Sequence, residues 1–167
     1  LYAARTHRQH DRVIEELKSI SGKQRVSGLS IRGRHEMCLN RFVKSNAQNA
    51  RAVMEICELL KAKNQCPYFR SIEEKRRQYL DLQQRIAFLP HGASEIQRIC
   101  RGKGFCPYEL VKDSLEDVSV VALSYLYVFD PIIRTAFLRN LETPLSRTIL
   151  VVDEAHNLPE TAIEIAS

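Results

Sequence analysis

The sequence predicts an α/β fold in which an all-helical segment interrupts a parallel sheet. Three observations predict it. Residues 1–31 follow a strand–helix–strand pattern. Helical periodicity without strand signals then continues to about residue 112, and apolar strand patterns return at residues 118–123 and 148–152. Strands that alternate with helices are typical of parallel sheets, because parallel neighbours need a long crossover connection.

Each element follows from a local pattern. Residues 1–4 form the first strand, and Thr6 can cap the helix that follows it, since the next apolar residues recur at helical spacing. Proline starts or kinks a helix at Pro107 and Pro131. The remaining predicted elements are a second strand over residues 26–31 and helices over residues 46–63, 71–86, 94–99, 107–115 and 126–137. The chain therefore divides into residues 1–34, a helical part at 35–112, and residues 113–167.

Composition bounds the function. Hydrophobic residues make up 44% of the 167 residues, which is enough for a buried core, and no run of 18 apolar residues predicts a membrane span. The sequence does not begin with a secretory signal. The formal net charge is +5, and residues 34–112 hold 15 Lys and Arg against 8 Asp and Glu. Such a basic segment favours an acidic polymer as partner, although a basic solvated surface without a partner gives the same count.

The last predicted strand ends in two acids. Four apolar residues, 149–152, indicate a strand buried on both faces, and Asp153, Glu154 and His156 follow it closely. Ligands of open α/β sheets bind at the carboxyl ends of such strands. Asp153 suits a Mg²⁺ ion that bridges phosphates, and Glu154 suits a base that positions an attacking water. The alternative is a polar turn in which His156 and Asn157 cap the next segment.

Five cysteines indicate metal ligation or buried thiols, because an odd count without an export signal argues against a disulfide framework. The gaps between them are 18, 8, 33 and 5 residues, so no Cys-x-x-Cys zinc knuckle is present. Wide spacing suits a cuboidal iron–sulfur cluster, and both Cys66 and Cys106 precede Pro-Tyr. The alternative is that the thiols fill a helical core.

Several segments resemble motifs of the XPD family of DNA helicases, in the family's order. Residues 5–9 (Arg-Thr-His-Arg-Gln) resemble its motif Ia, and residues 33–40 (Gly-Arg-His-Glu-Met-Cys-Leu-Asn) resemble its first cluster-cysteine motif. Residues 104–108 (Gly-Phe-Cys-Pro-Tyr) resemble its last cluster-cysteine motif. Residues 121–125 (Val-Ala-Leu-Ser-Tyr) follow, and residues 153–156 (Asp-Glu-Ala-His) resemble the DEAH box, motif II of superfamily-2 helicases.

This resemblance implies a RecA-like motor domain, residues 1–34 and 113–167, into which a helical 4Fe–4S domain, residues 35–112, is inserted. It implies an ATP-dependent helicase that moves 5′ to 3′, uses Mg²⁺, acts on single-stranded and forked DNA and serves DNA repair. Such an enzyme is intracellular: in the cytoplasm or nucleoid of a prokaryote, or in the nucleus of a eukaryote.

The resemblance also implies roles for residues. The cluster ligands would be Cys38, Cys57, Cys66 and Cys106, which leaves Cys100 over. Asp153 would hold Mg²⁺, Glu154 would orient or activate water, and His156 would couple the nucleotide state to the DNA-bound state. The residues expected to contact DNA are Arg5, Thr6 and Arg34.

A nucleoside-triphosphate motor also needs a glycine loop with Lys and Ser or Thr to hold phosphates. The two Gly-Lys pairs, at Gly22 and Gly102, are followed by Gln24 and Gly104 and do not fit. In the family this loop precedes motif Ia, so we expect it upstream of Leu1, and the chain is expected to be a central piece of a helicase. A second hypothesis is a non-catalytic module, stabilised by zinc or an iron–sulfur cluster, that binds nucleic acid.

Overall fold

The computed structural model of the protein describes residues 1–141 and 143–166. Four parallel strands form one sheet in the order β2-β3-β1-β4. The strands are β1 (Tyr2–Ala4), β2 (Gly28–Ser30), β3 (Val120–Ser124) and β4 (Val151–Val152). The predicted α/β class with a parallel sheet is confirmed.

The helices fall into three groups. Helix α1 (His7–Ser21) joins β1 to β2 and packs on the sheet. Between β2 and β3 lie α2 (Arg34–Met37), α3 (Arg41–Asn46), α4 (Ala50–Ala62), α5 (Pro67–Glu74), α6 (Arg76–Ile86), α7 (Ala93–Lys103) and α8 (Pro107–Asp113). After β3 come α9 (Leu126–Phe129), α10 (Pro131–Leu138) and α11 (Leu158–Ala166). None of these helices, within the residues described, combines the length and apolar composition that a bilayer crossing requires.

Local sequence signals explain several helix starts. Thr6 and Gln9 form a capping box at the start of α1, as the position of Thr6 predicts. Proline occupies the first turn of α5, α8 and α10. Asp130 caps α10 by accepting hydrogen bonds from two backbone N–H groups at 2.9 Å. Thr6 and Asp130 therefore satisfy free amides of the first turns, whereas proline removes one such amide.

The single helix predicted over residues 71–86 is wrong, because the chain forms two helices that meet at Lys75. The backbone of Lys75 leaves the helical region (φ −124°, ψ 39°), so α5 and α6 bury separate apolar faces. Ile72 is buried from α5, whereas Tyr79 and Leu82 are buried from α6. No glycine or proline marks the break, and therefore the pattern of residue types did not reveal it.

One hydrophobic core joins the sheet to the helices between β2 and β3. Leu29 and Leu123 of the sheet belong to the same buried cluster as Ile96 and Phe105 of the helical part. The rings of Tyr79 and Phe105 meet edge to face, with centroids 5.4 Å apart. The helical part therefore shares its interior with the sheet, and the boundaries at residues 35 and 112 stay a prediction.

The expectation that residues 149–152 form a strand buried on both faces is wrong. Strand β4 is limited to Val151–Val152 and lies at the edge of the described sheet, paired with β1. Ile149 is 82% exposed and Leu150 is 44% exposed. An apolar run predicts burial, but burial of both faces also needs helices packed against the strand, which the run itself does not show.

We expect the shared core to dominate stability. Replacing the fully buried Ile96 by alanine removes its side-chain contacts and leaves a cavity, so Ile96→Ala should lower the free energy of unfolding by about 2 to 5 kcal/mol. Urea unfolding followed by circular dichroism measures this change.

The matched control is Ile132→Ala on α10, because Ile132 is 82% exposed. That substitution should change the free energy of unfolding by less than about 0.5 kcal/mol. Equal losses at the two positions would contradict the placement of the core.

Candidate functional site

The segment that follows β4, residues 153–157, is called the acidic turn and lies at the carboxyl edge of the sheet. Because β1, β3 and β4 are parallel, the residues that follow them emerge at this edge, where ligands of open α/β sheets bind. The backbone N–H of Asp153 donates to the carbonyl of Ala3 (2.9 Å), so Asp153 lies beside the end of β1. Glu154 then takes left-handed backbone angles (φ 48°, ψ 47°), and a 3-10 turn over Ala155–Asn157 leads into α11. Both acids therefore leave the sheet on a sharp turn.

Amide and hydroxyl groups hold this turn in place. Nε2 of Gln9 donates to Oδ2 of Asp153, and Nδ2 of Asn157 donates to Oε2 of Glu154, each at 3.4 Å. The hydroxyl of Tyr125 donates to the backbone carbonyls of both acids. Asp153 is half-buried and Glu154 is exposed, so a cation can reach the carboxylates.

The carboxylates also affect neighbouring phenols. The pKa of Tyr2 is raised by burial and then by a hydrogen bond to Asp153, and the pKa of Tyr125 is raised by burial and by the charge of Asp153. His156, in the 3-10 turn, is exposed. The charges of Asp153 and Glu154 therefore act on the phenols at this edge, against the opposing charges of Arg12 on Tyr2 and Arg5 on Tyr125.

The loop between β1 and α1, which consists of Arg5 and Thr6 and is called the first loop, contacts the acidic turn directly. Nη1 of Arg5 forms an ion pair with Glu160 (2.8 Å) and donates to Oδ1 of Asn157 (3.3 Å). Thr6 caps α1, and its capping-box partner Gln9 is the residue that reaches Asp153. The structure thus brings Arg5 and Thr6 to the acidic turn, and their contacts with DNA stay a prediction.

Gln9 and Asn157 are site residues to which the sequence analysis gave no role in chemistry. Gln9 stands three residues after Thr6, which is the capping-box spacing, and this signal could have placed its amide at the carboxyl edge. The sequence offers Asn157 as a cap, and in the structure it donates to Glu154 and accepts from Arg5. Asn157 therefore links Arg5 of the first loop to Glu154 of the acidic turn.

His10 lies beneath this edge and is fully buried. Nε2 of His10 is 3.3 Å from the carbonyl of Ala4, at the end of β1. Burial lowers the pKa of His10 below its ordinary value, so the ring is neutral in the folded protein at neutral pH. A neutral ring that meets the last residue of β1 supports the position of the loop that follows.

Four of the five cysteines line one pocket. Cys38 follows α2, Cys57 lies within α4, and Cys66 and Cys106 directly precede the prolines that begin α5 and α8. Apolar side chains such as Leu39 and Val43 line the same pocket, together with the charged Arg34 and Glu109. Cys100 is fully buried in the core on α7 and does not line it. The structure thus brings together the four candidate ligands and separates the fifth cysteine, although ligation itself stays a prediction.

Polar backbone and amide groups surround these thiols. The N–H of Cys106 donates to the carbonyl of Tyr68 (3.1 Å), which joins the two Cys-Pro-Tyr segments, and Nδ2 of Asn40 lies 3.7 Å from Sγ of Cys66. Burial raises the pKa of Cys38, and it raises the pKa of Cys106 to about 12, against backbone hydrogen bonds that lower both. Thiols in such a pocket stay protonated at neutral pH unless a metal takes the place of the proton.

Arg34 borders the same pocket. Its guanidinium forms an ion pair with Glu58 and lies 4.7 Å from the ring centroid of Tyr108, and its side chain is 19% exposed. Burial would lower the pKa of Arg34, but the hydrogen bond to Glu58 and the nearby Cys57 and Tyr108 raise it above the ordinary value. Arg34 is therefore a mostly buried cation beside the cysteines, and its contact with DNA stays a prediction.

Within residues 1–141 and 143–166, no group of three His, Cys, Asp or Glu side chains could hold a single metal ion. The four cysteines instead line a shared pocket between helices.

The parallel sheet with an acidic turn at its carboxyl edge is the arrangement expected for the motor domain of a superfamily-2 helicase. The model of the DEAD_2 family matches residues 2–167, so the chain belongs to the DEAD_2 family. The resemblance to XPD-type helicases is therefore confirmed. An XPD helicase structure is similar to 95% of this chain, with a TM-score of 0.57 and 19% identity, and the match covers 25% of that structure's chain.

Curated relatives bear helicase names. A regulator of telomere elongation helicase 1 homolog of Arabidopsis thaliana is 29% identical over the whole chain, and one of Oryza sativa subsp. japonica is 30% identical. The ATP-dependent DNA helicase CHL1 of Vanderwaltozyma polyspora is 27% identical over 99% of the chain. The chain spans 15%, 15% and 20% of the lengths of these three proteins.

The buried neutral His10 makes the free energy of unfolding depend on pH in the acidic range. Its pKa is lowered in the folded state, so the unfolded state binds more protons as the pH falls below about 6.5. The free energy of unfolding that depends on neutral His10 is therefore fully present above that pH and is lost as the pH falls. We expect His10→Gln to flatten the decline in the free energy of unfolding between about pH 7.5 and 5.5, measured by urea titration.

His35→Gln is the control, because His35 is exposed on α2. It should retain the pH dependence of the parent protein. A decline that persists unchanged in His10→Gln would show that other groups cause it.

Proposed function

We propose that this chain is part of an ATP-dependent DNA helicase of the XPD type, which moves 5′ to 3′ on single-stranded and forked DNA and serves DNA repair. The observation that carries the proposal is the position of Asp153-Glu154-Ala155-His156 at the carboxyl edge of a parallel sheet. Asp153 accepts a hydrogen bond from Gln9 on α1, and the neighbouring Asn157 accepts one from Arg5. The helicase names of the relatives support it. A DNA substrate implies an intracellular protein, nuclear in a eukaryote.

In this proposal the acidic turn acts on the nucleotide. Asp153, half-buried at the end of β4, would hold Mg²⁺, which neutralises phosphate charge when it is bound. Glu154 is one residue further along a sharp turn, so its carboxylate can accept a proton from, or orient, the attacking water. Asn157 donates to that carboxylate and limits its rotation.

Coupling between nucleotide and DNA would use the contacts between the two loops. Arg5 is bound to Asn157 and Glu160, and Gln9 bridges Thr6 and Asp153. A shift of the acidic turn during hydrolysis would therefore move the first loop, where Arg5 and Thr6 would contact DNA phosphates. His156 lies in the same 3-10 turn and would take part in this coupling.

The grouping of four cysteines in one pocket supports our proposal that a 4Fe–4S cluster binds there. Four thiols line one pocket, and the backbone amides beside Cys38 and Cys106 would stabilise ligating thiolates, as backbone amides do around protein-bound clusters. Cys38, Cys57, Cys66 and Cys106 would hold the cluster, which cross-links helices when it is bound. Arg34 lies beside this pocket and would connect it to DNA, and the basic excess of the helical part favours a phosphate backbone as partner.

Strand-separation assays test the catalytic proposal. The full-length protein should unwind a duplex with a 5′ single-stranded tail in the presence of ATP and Mg²⁺, and should not unwind one with a 3′ tail. Glu154→Gln should lower ATP turnover by at least about a hundredfold, because it removes the proposed proton acceptor. The isolated 167-residue chain, whose sequence lacks a phosphate loop, should not turn over ATP.

The matched control is Glu164→Gln on the exposed face of α11, which should leave turnover unchanged. Unwinding from 3′ tails would refute the polarity. Turnover by the isolated chain that depends on Glu154 would refute the need for a separate phosphate loop.

Iron content tests the cluster. Protein purified without oxygen should hold about four irons per chain, and serine at Cys38, Cys57, Cys66 or Cys106 should lower the iron content and the visible absorbance. Cys100→Ser is the matched control and should retain both, since Cys100 lies in the core away from the pocket.

Stoichiometric zinc without iron in protein prepared in this way would instead support the metal-stabilised module. Loss of iron in Cys100→Ser, with retention in one of the other four variants, would show that the ligand set is wrong.

A further inference from the structure

Each of three helices that carry or adjoin a cysteine also carries a charged residue about one turn away. Arg34 precedes Cys38 by four residues on α2, and Lys61 follows Cys57 by four on α4. Glu109 follows Cys106 by three on α8. Residues three or four apart lie on the same helix face, so each charge faces the same side of its helix as the neighbouring thiol.

These charges pair across the helices. Arg34 pairs with Glu58, which joins α2 to α4, and Nζ of Lys61 lies 3.0 Å from Oε1 of Glu109, which joins α4 to α8. Lys61 also lies 4.7 Å from the ring centroid of Phe69 on α5, the helix that begins after Cys66. Lys61 therefore contacts groups on two further cysteine-bearing segments besides its own.

The Lys61–Glu109 pair is mostly removed from water. The side chain of Glu109 is 5% exposed and that of Lys61 is 17% exposed. Glu109 lines the cysteine pocket itself. A charge so placed is costly unless it is paired with good geometry, so separating α4 from α8 at this point would deprive both charges of this partner.

We propose that Lys61 and Glu109 are positioning residues for the cysteine pocket: their ion pair holds α4 and α8 so that Cys57 and Cys106 are placed to ligate the cluster. This inference rests on the proposed iron–sulfur function. Neither side chain ligates iron. The pair acts by restricting the opening of the two helices, which would release a ligand.

Lys112 provides a matched control within the same network. It also binds Glu109, at 2.5 Å, but it lies three residues further along α8 and makes no link to α4 through this contact. Its side chain is 28% exposed, against 17% for Lys61. If Glu109 needed only a positive neighbour, the two lysines would matter equally.

The test measures iron release from the full-length protein, purified without oxygen, to the ferrous chelator ferrozine. Lys61→Gln and Glu109→Gln should release iron roughly tenfold faster than the parent protein, as loss of a supporting contact around a metal site does. Lys112→Gln should change the rate by no more than about twofold, as for a pair within one helix. Lys61→Arg, which keeps the charge, should release iron at nearly the parent rate.

Equal acceleration in Lys61→Gln and Lys112→Gln would overturn the proposal, as would Lys61→Arg that releases iron as fast as Lys61→Gln. If a single variant fails to fold, the double variant Lys61→Gln/Glu109→Gln leaves no unpaired charge between the helices and should fold but still release iron faster. Parent-like retention in the double variant would also overturn it. A parent protein without iron would refute the cluster as well, so the two failures are distinguishable.

Discussion

The hydrophobic core runs without interruption from the sheet into the helices between β2 and β3. Leu29 and Leu123 on the strands and Ile96 and Phe105 in the helical part share one buried cluster. Phe105 directly precedes Cys106 in the short segment between α7 and α8, and the acidic turn begins directly after β4. The cysteine pocket and the carboxyl edge therefore both adjoin the same packed interior.

Several positive side chains between β2 and β3 form ion pairs within the protein. Arg34, Lys61 and Lys112 pair with Glu58 and Glu109 around the cysteine pocket. Helix-surface pairs, such as those joining residues 51 to 55 and 70 to 74, occupy further arginines. Arg34, Lys61 and Lys112 are mostly buried, so they add less to the positive surface that a phosphate backbone would meet than the charge count from sequence implies. Exposed residues such as Arg76, on α6, contribute to that surface more directly.

Local chemistry made the parallel sheet, the capping of α1 and the helix starts at Pro107 and Pro131 predictable, because each is decided by a few neighbouring residues. The grouping of four cysteines was less accessible. Their gaps point to no pairing, and only the family resemblance selected the set that the fold brings to one pocket. The break at Lys75 and the exposure of β4 depend on tertiary position, which short patterns do not contain. The Lys61–Glu109 contact spans 48 residues and joins two helices, α4 and α8, that both pack against α2.

The backbone of Glu154 adds a conflict between durability and chemistry. A residue with a Cβ in the left-handed region costs about 1 to 2 kcal/mol, whereas glycine takes these angles at no steric cost. Glycine at this position would thus relieve strain and at the same time delete the carboxylate on which turnover is proposed to depend. Selection for heat resistance alone would favour Glu154→Gly. A library screened only for stability should therefore become enriched in this substitution, at the expense of the proposed turnover.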